Sequence, residues 1–300
     1  MMRMNSALAL QLGRQPLAVR EARALGSTEK RLRGPTIQRP FRGVVTTAPL
    51  RGLDDWCRAY LAVAPPGAFF SGPTAAALHG LPLPRLPSGL HVSVPAPARA
   101  PRRPGIHGHS VRVSFGDVIV ENGLQLSSLP RAWCELAGMF SVEDLVVAGD
   151  AVARRSTGRD RLRALRDALS RCASRRGRPE LLRAFDLLDP RAESPQESRL
   201  RFRLVAGGLL GLESNLAIRT TTGKNYRGDL VFPERRVILD YRGDHDREQE
   251  QYRRDLRRRM DLQADGWTIV ELGPDDLGDP ALARRVRAIL ARAAHRGGDG

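Results

Sequence analysis

Three hundred residues, 41% of them hydrophobic, suffice for two domains, while an aromatic content of 5% offers no base-stacking platform for single strands. The formal net charge of +16 predicts a polyanionic partner, nucleic acid ahead of an anionic membrane surface; lysine occurs only at positions 30 and 224, an arginine bias that a GC-rich genome would also produce. Three scattered cysteines, Cys57, Cys134 and Cys172, exclude a disulfide framework and a paired-cysteine zinc site, and no apolar run reaches membrane-span length, so a cytoplasmic protein with reduced thiols is expected.

Residues 1–15 read as a disordered leader, 16–190 as an N-terminal α+β region ending in a helical connector, and 191–300 as a second domain. Apolar spacing predicts helices over 17–25 and 28–33 around Gly26-Ser27, with Thr28 as N-cap, then a short strand or wing over 40–46. That order fits a helix-turn-helix presenting Arg31, Arg33, Arg39 and Arg42 to DNA, and equally a small basic hairpin that packs on its neighbour. Helices are expected over 53–63 and 73–80, a proline-rich loop over 81–87, and strands over 91–94, 111–115 and 118–120. The basic, proline-rich stretch 95–108 reads as a loop. At its end His107 and His109 have chelating spacing but no third ligand nearby, and His79 reads as a helix-end residue. Helical spacing over 130–140, 142–155, 161–172 and 179–188 ends at Asp189-Pro190, the expected domain boundary.

The last hundred residues read as helix 196–210, strand 215–220, a hairpin, helix 247–264, strand 267–272 and helix 281–294, an αβββαβα order that predicts an α/β sheet flanked by helices. In the hairpin, Val231-Phe232 and Val237-Ile238-Leu239 flank the turn Pro233-Glu234-Arg235-Arg236. A symmetric turn pairs Phe232 with Val237 and so sets Asp229 opposite Asp240. Like charges placed across strands are destabilising unless neutralised, and a hard cation such as Mg²⁺ would do so. Ser194-Pro195-Gln196-Glu197 fits a capping box, which accounts for Glu197 without chemistry. Arg253, Arg254, Arg257, Arg258 and Arg259 on helix 247–264 supply positive charge of the kind that meets phosphates, with Arg254 and Arg258 as DNA-contact candidates, or merely form a solvated face.

The element order, Glu197 on the first helix, Asp229, then Asp240-Tyr-Arg-Gly-Asp-His245, then Gln251 and Asp255 before Gly266-Trp267, resembles the restriction-endonuclease-like PD-(D/E)xK superfamily. The nearest branch is similar to domains related to the very-short-patch repair endonuclease, over about 193–295. Upstream, Ser71-Gly-Pro-Thr-Ala-Ala-Ala-Leu-His79-Gly-Leu-Pro and Leu129-Pro-Arg-Ala-Trp-Cys-Glu-Leu-Ala137 are similar to AbiEi-type antitoxin-like modules. The resemblance implies Mg²⁺-dependent hydrolysis of DNA phosphodiester bonds in defence or repair, with Asp229 and Asp240 holding the metal and Glu197 beside it. Arg242 stands where the superfamily has Lys; it cannot act as a base but can hold phosphate, leaving His245 to move the proton. Gln251 and Asp255 would orient the turn at His245, or else pair with neighbouring arginines. The alternative implied by the missing Lys is a non-catalytic, antitoxin-like DNA-binding regulator on a decayed nuclease fold; a third is an RNA-directed or toxin-associated nuclease. A protein partner or homo-oligomer fits either of the first two.

Overall fold

The computed structural model describes residues 15–172, 176–242 and 249–296, so the leader up to residue 14 and His245 lie outside the described residues. Over these residues the chain is mixed α/β, with three sheets and twelve α-helices. Two compact units divide at Leu136/Ala137, with Arg171 and Cys172 returning to the first.

In the first unit β1 (Leu17–Ala18) pairs antiparallel with β2 (Val44–Val45). Between them lie α1 (Val19–Ala24) and α2 (Glu29–Leu32), closed over Leu17, Ala22, Leu32 and Val45. Helix α1 starts later than expected because Leu17 and Ala18 are taken up in the strand pair. Thr28 caps α2 as its sequence position requires, its hydroxyl accepting the Arg31 N–H at 3.4 Å. At four residues, however, α2 is one turn long.

Helix α3 (Leu53–Leu61), strand β3 (Phe69–Phe70), helix α4 (Gly72–Leu78), strands β4 (Leu90–Pro95), β5 (Ile106–Val111), β6 (Val118–Glu121) and β7 (Leu124–Ser127), and helix α5 (Leu129–Glu135) complete this unit. The strands order as β5-β4-β3-β7-β6 over a core of Phe41, Tyr60, Phe70, Val92, Val94 and Leu126. Strand β5 is a correction: it begins within the stretch expected as loop, at Ile106, and the strand expected over 111–115 ends at Val111. Its Gly108 serves close approach rather than flexibility, since a Cβ there would collide with the Pro101 carbonyl. Strand β7 went unread in the sequence. At the β7/α5 junction Arg131 meets Asp117 at 2.5 Å and Glu135 at 2.7 Å, and Arg171 lies 3.6 Å from Asp117. The Glu135 carboxylate also accepts the Gly72 N–H and the Ser127 hydroxyl, both at 2.7 Å. His79 ends α4 as expected, its ring bound to the Ser127 carbonyl at 2.8 Å. Cys57 and Cys134 are buried free thiols, and burial pushes Cys57 up to about 12.

The second unit begins with α6 (Val142–Arg155), α7 (Arg163–Arg171) and α8 (Arg178–Asp186), the run expected to belong with the N-terminal region. It packs instead with α9 (Pro195–Ala206), which moves the division from 190/191 to 136/137. The buried Arg201 of α9 reaches Asp150 of α6 at 2.9 Å, and the Asp189 N–H donates to the same carboxylate at 2.7 Å. Strands β8 (Glu213–Arg219), β9 (Asn225–Phe232) and β10 (Val237–Tyr241), helix α10 (Gln249–Ala264), strand β11 (Thr268–Leu272), and helices α11 (Pro274–Gly278) and α12 (Leu282–Arg296) follow. The sheet runs β11-β10-β9-β8, antiparallel except for β10 with β11, which the α10 crossover joins in parallel.

Period-two alternation sorts the hairpin. Leu230, Phe232, Val237 and Leu239 pack with Leu200, Leu204, Leu282 and Val286 of α9 and α12, whereas Val231 and Ile238 pack with Leu262 of α10. Gly228 is forced by this packing, for a Cβ there would stand 2.6 Å from Val231 Cγ2 and 2.8 Å from Ile238 Cγ2.

Candidate functional site

The hairpin register is the one the symmetric turn requires. Phe232 pairs with Val237, Val231 with Ile238 and Leu230 with Leu239, which makes Asp229 and Asp240 the next step. There side chains take over from the main-chain ladder: the Tyr241 N–H donates to Asp229 Oδ2 at 2.9 Å, and Asp240 Oδ1 lies 3.5 Å from the Asp229 nitrogen. Asp240 shares the α10 face with Ile238, meeting Arg258 of that helix, and is only 4% exposed.

Glu197 joins them from α9. Ser194 accepts the Glu197 N–H at 3.1 Å with Pro195 in the first turn, so the Ser half of the capping box forms; Glu197 Oε2 accepts the Glu193 N–H at 3.1 Å, one residue before the cap. The buried Glu197 carboxylate is therefore both a helix-start device and a neighbour of Asp229. Its remaining partner is Asn215, whose Nδ2 donates to Glu197 Oε2 and to the Arg191 carbonyl, each at 2.8 Å.

Asn215 is the residue the sequence reading missed. The β8/β9 register pairs Ser214 with Leu230 and Leu216 with Gly228, so Asn215 falls opposite Asp229, where the ladder is interrupted. Asn215 adopts φ 51°, the left-handed region that Asn tolerates better than other side chains. Its Oδ1 is buried with no hydrogen-bond partner among the described residues. An Asn at the head of the apolar run Leu216-Ala217-Ile218, a type depleted in strands, was the available signal.

Electrostatically the cluster carries a surplus of negative charge. Burial, then Asp240 and then Glu197 push the Asp229 carboxyl up to about 6, against the Tyr241 N–H and Arg258, which hold it down. Arg258 of α10, one of the residues expected to face phosphate, is engaged within the cluster: its guanidinium forks onto Asp240 at 2.5 and 3.2 Å and donates to the Arg227 carbonyl at 2.8 Å. Arg242 is likewise engaged, with Asp255 at 3.0 Å and Glu271 at 3.2 Å, its Nε buried without a partner among the described residues. Asp255 thus holds Arg242. Gln251 sits on α10, with its side chain outside the described residues, as is the turn with His245 that both were expected to orient.

Among the described residues no three His, Cys, Asp or Glu side chains form a group that could hold a metal ion, and Asp240 is paired with Arg258. The donor set is nonetheless one of hard oxygens with excess negative charge and an orphaned amide oxygen, which fits Mg²⁺, commonly held by one or two carboxylates and otherwise by water.

Arg254 is exposed on α10. In the first unit Arg33 pairs with Glu29 at 3.3 Å, Arg39 donates to the Leu32 carbonyl at 2.9 Å, Arg31 is half-buried, and Arg42 is exposed with its carbonyl bound to Arg103. His107 and His109 gain a third imidazole from β4: His91 stacks on His107 at 4.6 Å and reaches His109 at 3.3 Å. No helix among the described residues is long and apolar enough to cross a membrane.

No protein-family profile matches the chain. It is 34% identical over 131 residues to an uncharacterized protein of Mycobacterium tuberculosis, Rv2248 in strain H37Rv and MT2308 in strain CDC 1551. The match takes in 42% of this chain and 48% of each relative, so the chain spans about half the length of the curated relatives it matches. The crystal structure of the M. tuberculosis protein RV2827C aligns over 67% of this chain and 82% of its own, at 18% identity and a TM-score of 0.40.

Proposed function

We propose that the second unit is a restriction-endonuclease-like, Mg²⁺-dependent hydrolase of DNA phosphodiester bonds, with Asp229 and Asp240 as metal ligands and Glu197 beside them. The observation that carries this reading is the pairing of Asp229 with Asp240 at the end of the hairpin, where burial, Asp240 and Glu197 drive Asp229 up to about 6. A cluster serving stability alone gains nothing from a surplus carboxylate, and a strained residue such as Asn215 is the kind of backbone outlier that gathers at functional sites. Mg²⁺ bound there would supply a water of lowered pKa and stabilise charge on the phosphate.

In this reading Asn215 orients Glu197, and the Tyr241 N–H fixes one oxygen of Asp229. Arg258, beside Asp240, would take the phosphate-facing part that Arg242, held by Asp255 and Glu271, was expected to fill. The first unit, with its small helix-turn-helix and antitoxin-like motifs, serves as a DNA-associated module.

One observation favours a second reading. The fork of Arg258 on Asp240, together with the engagement of Arg242 by Asp255 and Glu271, also suits a non-catalytic DNA-binding regulator in which arginine has taken the place of the cation. Nicking of supercoiled plasmid separates the two. Wild-type protein is expected to nick in Mg²⁺, and Asp229→Asn and Asp240→Asn to lose about a hundredfold or more of the rate. Cleavage that survives both substitutions rejects the proposed site; no cleavage by clean wild type, with salt-sensitive retention of duplex, favours the regulator.

A further inference from the structure

We infer that an arginine-lined cleft in the second unit seats the phosphodiester backbone of DNA next to the acid cluster, and that the helices preceding α9 help to build it. The inference rests on the DNA-directed reading of this unit, but not on cleavage. The cleft encloses about 500 Å³ between Arg154, Arg161, Arg191, Arg227, Glu193 and Asn215. Four guanidinium groups and one carboxylate make it a polyanion site rather than the mostly apolar pocket that small organic ligands favour.

The four arginines divide into two pairs. Arg191 is tied to Asp189 at 3.1 Å and Glu213 at 3.0 Å, and Arg227 forks onto Glu193 at 2.7 Å through both nitrogens. These two are largely neutralised. Arg154, from the end of α6, donates to the Glu193 carbonyl, and Arg161 donates to the Pro190 carbonyl at 3.3 Å. Neither meets a carboxylate among the described residues, so both keep a full positive charge while a carbonyl holds the guanidinium in place. A held, uncompensated guanidinium is well suited to phosphate.

The cleft also adjoins the acids through shared residues. Asn215 Nδ2 bridges the Arg191 carbonyl and Glu197, the Glu193 N–H donates to Glu197, and Arg258 donates to the Arg227 carbonyl while holding Asp240. A strand whose phosphates lie against Arg154 and Arg161 is thereby led toward Asp229 and Asp240. The helical run read from sequence as a connector becomes part of the DNA surface.

Anisotropy of a labelled DNA duplex with the full chain in EDTA, where no metal-dependent cutting intervenes, tests this. The Arg154→Gln/Arg161→Gln double variant is expected to bind about tenfold more weakly near physiological salt and to lower the slope of log K against log[salt] by about 2. Arg284→Gln/Arg292→Gln, which removes the same charge from exposed positions on α12 outside the cleft, is expected to stay within about twofold of wild type. Should the double variant melt early, the single Arg161→Gln is used, with a slope change of about 1. An unchanged affinity and slope overturns the inference, as does an equal loss in the α12 variant, which would mean net charge alone. Failure of the nuclease reading appears separately, as absent nicking with these binding differences intact.

Discussion

Each unit buries charge beside a sheet, and the two do so with opposite balances. In the first, Asp117 and Glu135 meet Arg131 and Arg171, two acids against two bases, and Glu135 also receives a main-chain N–H and a hydroxyl. In the second, Asp229 and Asp240 share Arg258 while Glu197 adds its charge to Asp229, next to a left-handed Asn and an amide oxygen with no partner among the described residues. Matched charge with full hydrogen bonding stabilises a fold; unmatched charge in a partly buried place costs stability and signals something to be bound. Burial of polar groups therefore does not by itself separate scaffold from site, whereas the charge balance around them does.

The largest expected effect breaks the balanced side. Arg131→Met leaves Asp117 and Glu135 without their shared cation and is expected to destabilise the first unit by ~3 kcal/mol or more in urea unfolding, with no recovery on adding Mg²⁺. Arg258→Met is expected to cost less, about 2 kcal/mol in metal-free buffer, and to regain most of it with millimolar Mg²⁺ as the cation replaces the guanidinium. Should both variants lose equally and neither respond to metal, the contrast between the units falls.

The smallest effect sharpens the contrast through pH. The Asp229 carboxyl rises from its ordinary 3.8 to about 6 in the folded protein, so the folded state holds this proton more tightly than the unfolded chain. The associated stability is complete below about pH 4 and is lost as pH rises through about 6. Asp229→Asn should accordingly stabilise the protein at pH 8, by roughly 1 kcal/mol once solvent screening is discounted, and make no difference near pH 3.5. Thermal melts of the two proteins across this range measure it; a variant that melts lower than wild type at pH 8 overturns the claim of surplus charge.

The legible parts of the molecule were those in which local chemistry and tertiary packing agree. The hairpin register followed from a symmetric turn between apolar runs, and α6 spans 142–155 as read, with Ser141 accepting the Asp144 N–H at its start. Strand β5 was hidden because His107, Gly108 and His109 look like loop until the preceding segment folds back on them and Gly108 becomes a packing requirement. The pairing of Asp229 with Asp240 could be named in advance because the hairpin register is local, whereas Glu197 entered only through the family resemblance. Their partners could not be named: Arg258 was one of several arginines on a basic helix, Arg242 gave no sign of the carboxylates that hold it, and Asn215 acquires its part only where β8 crosses Asp229.

Gly228 has a genetic consequence. It carries no functional group, yet any side chain there must displace Val231 and Ile238 and with them the strand that delivers Asp229. A screen for loss of the activity proposed for the second unit would recover this position beside the three acids, and a reader who knew only the lesion map would mistake a space requirement for a reactive centre.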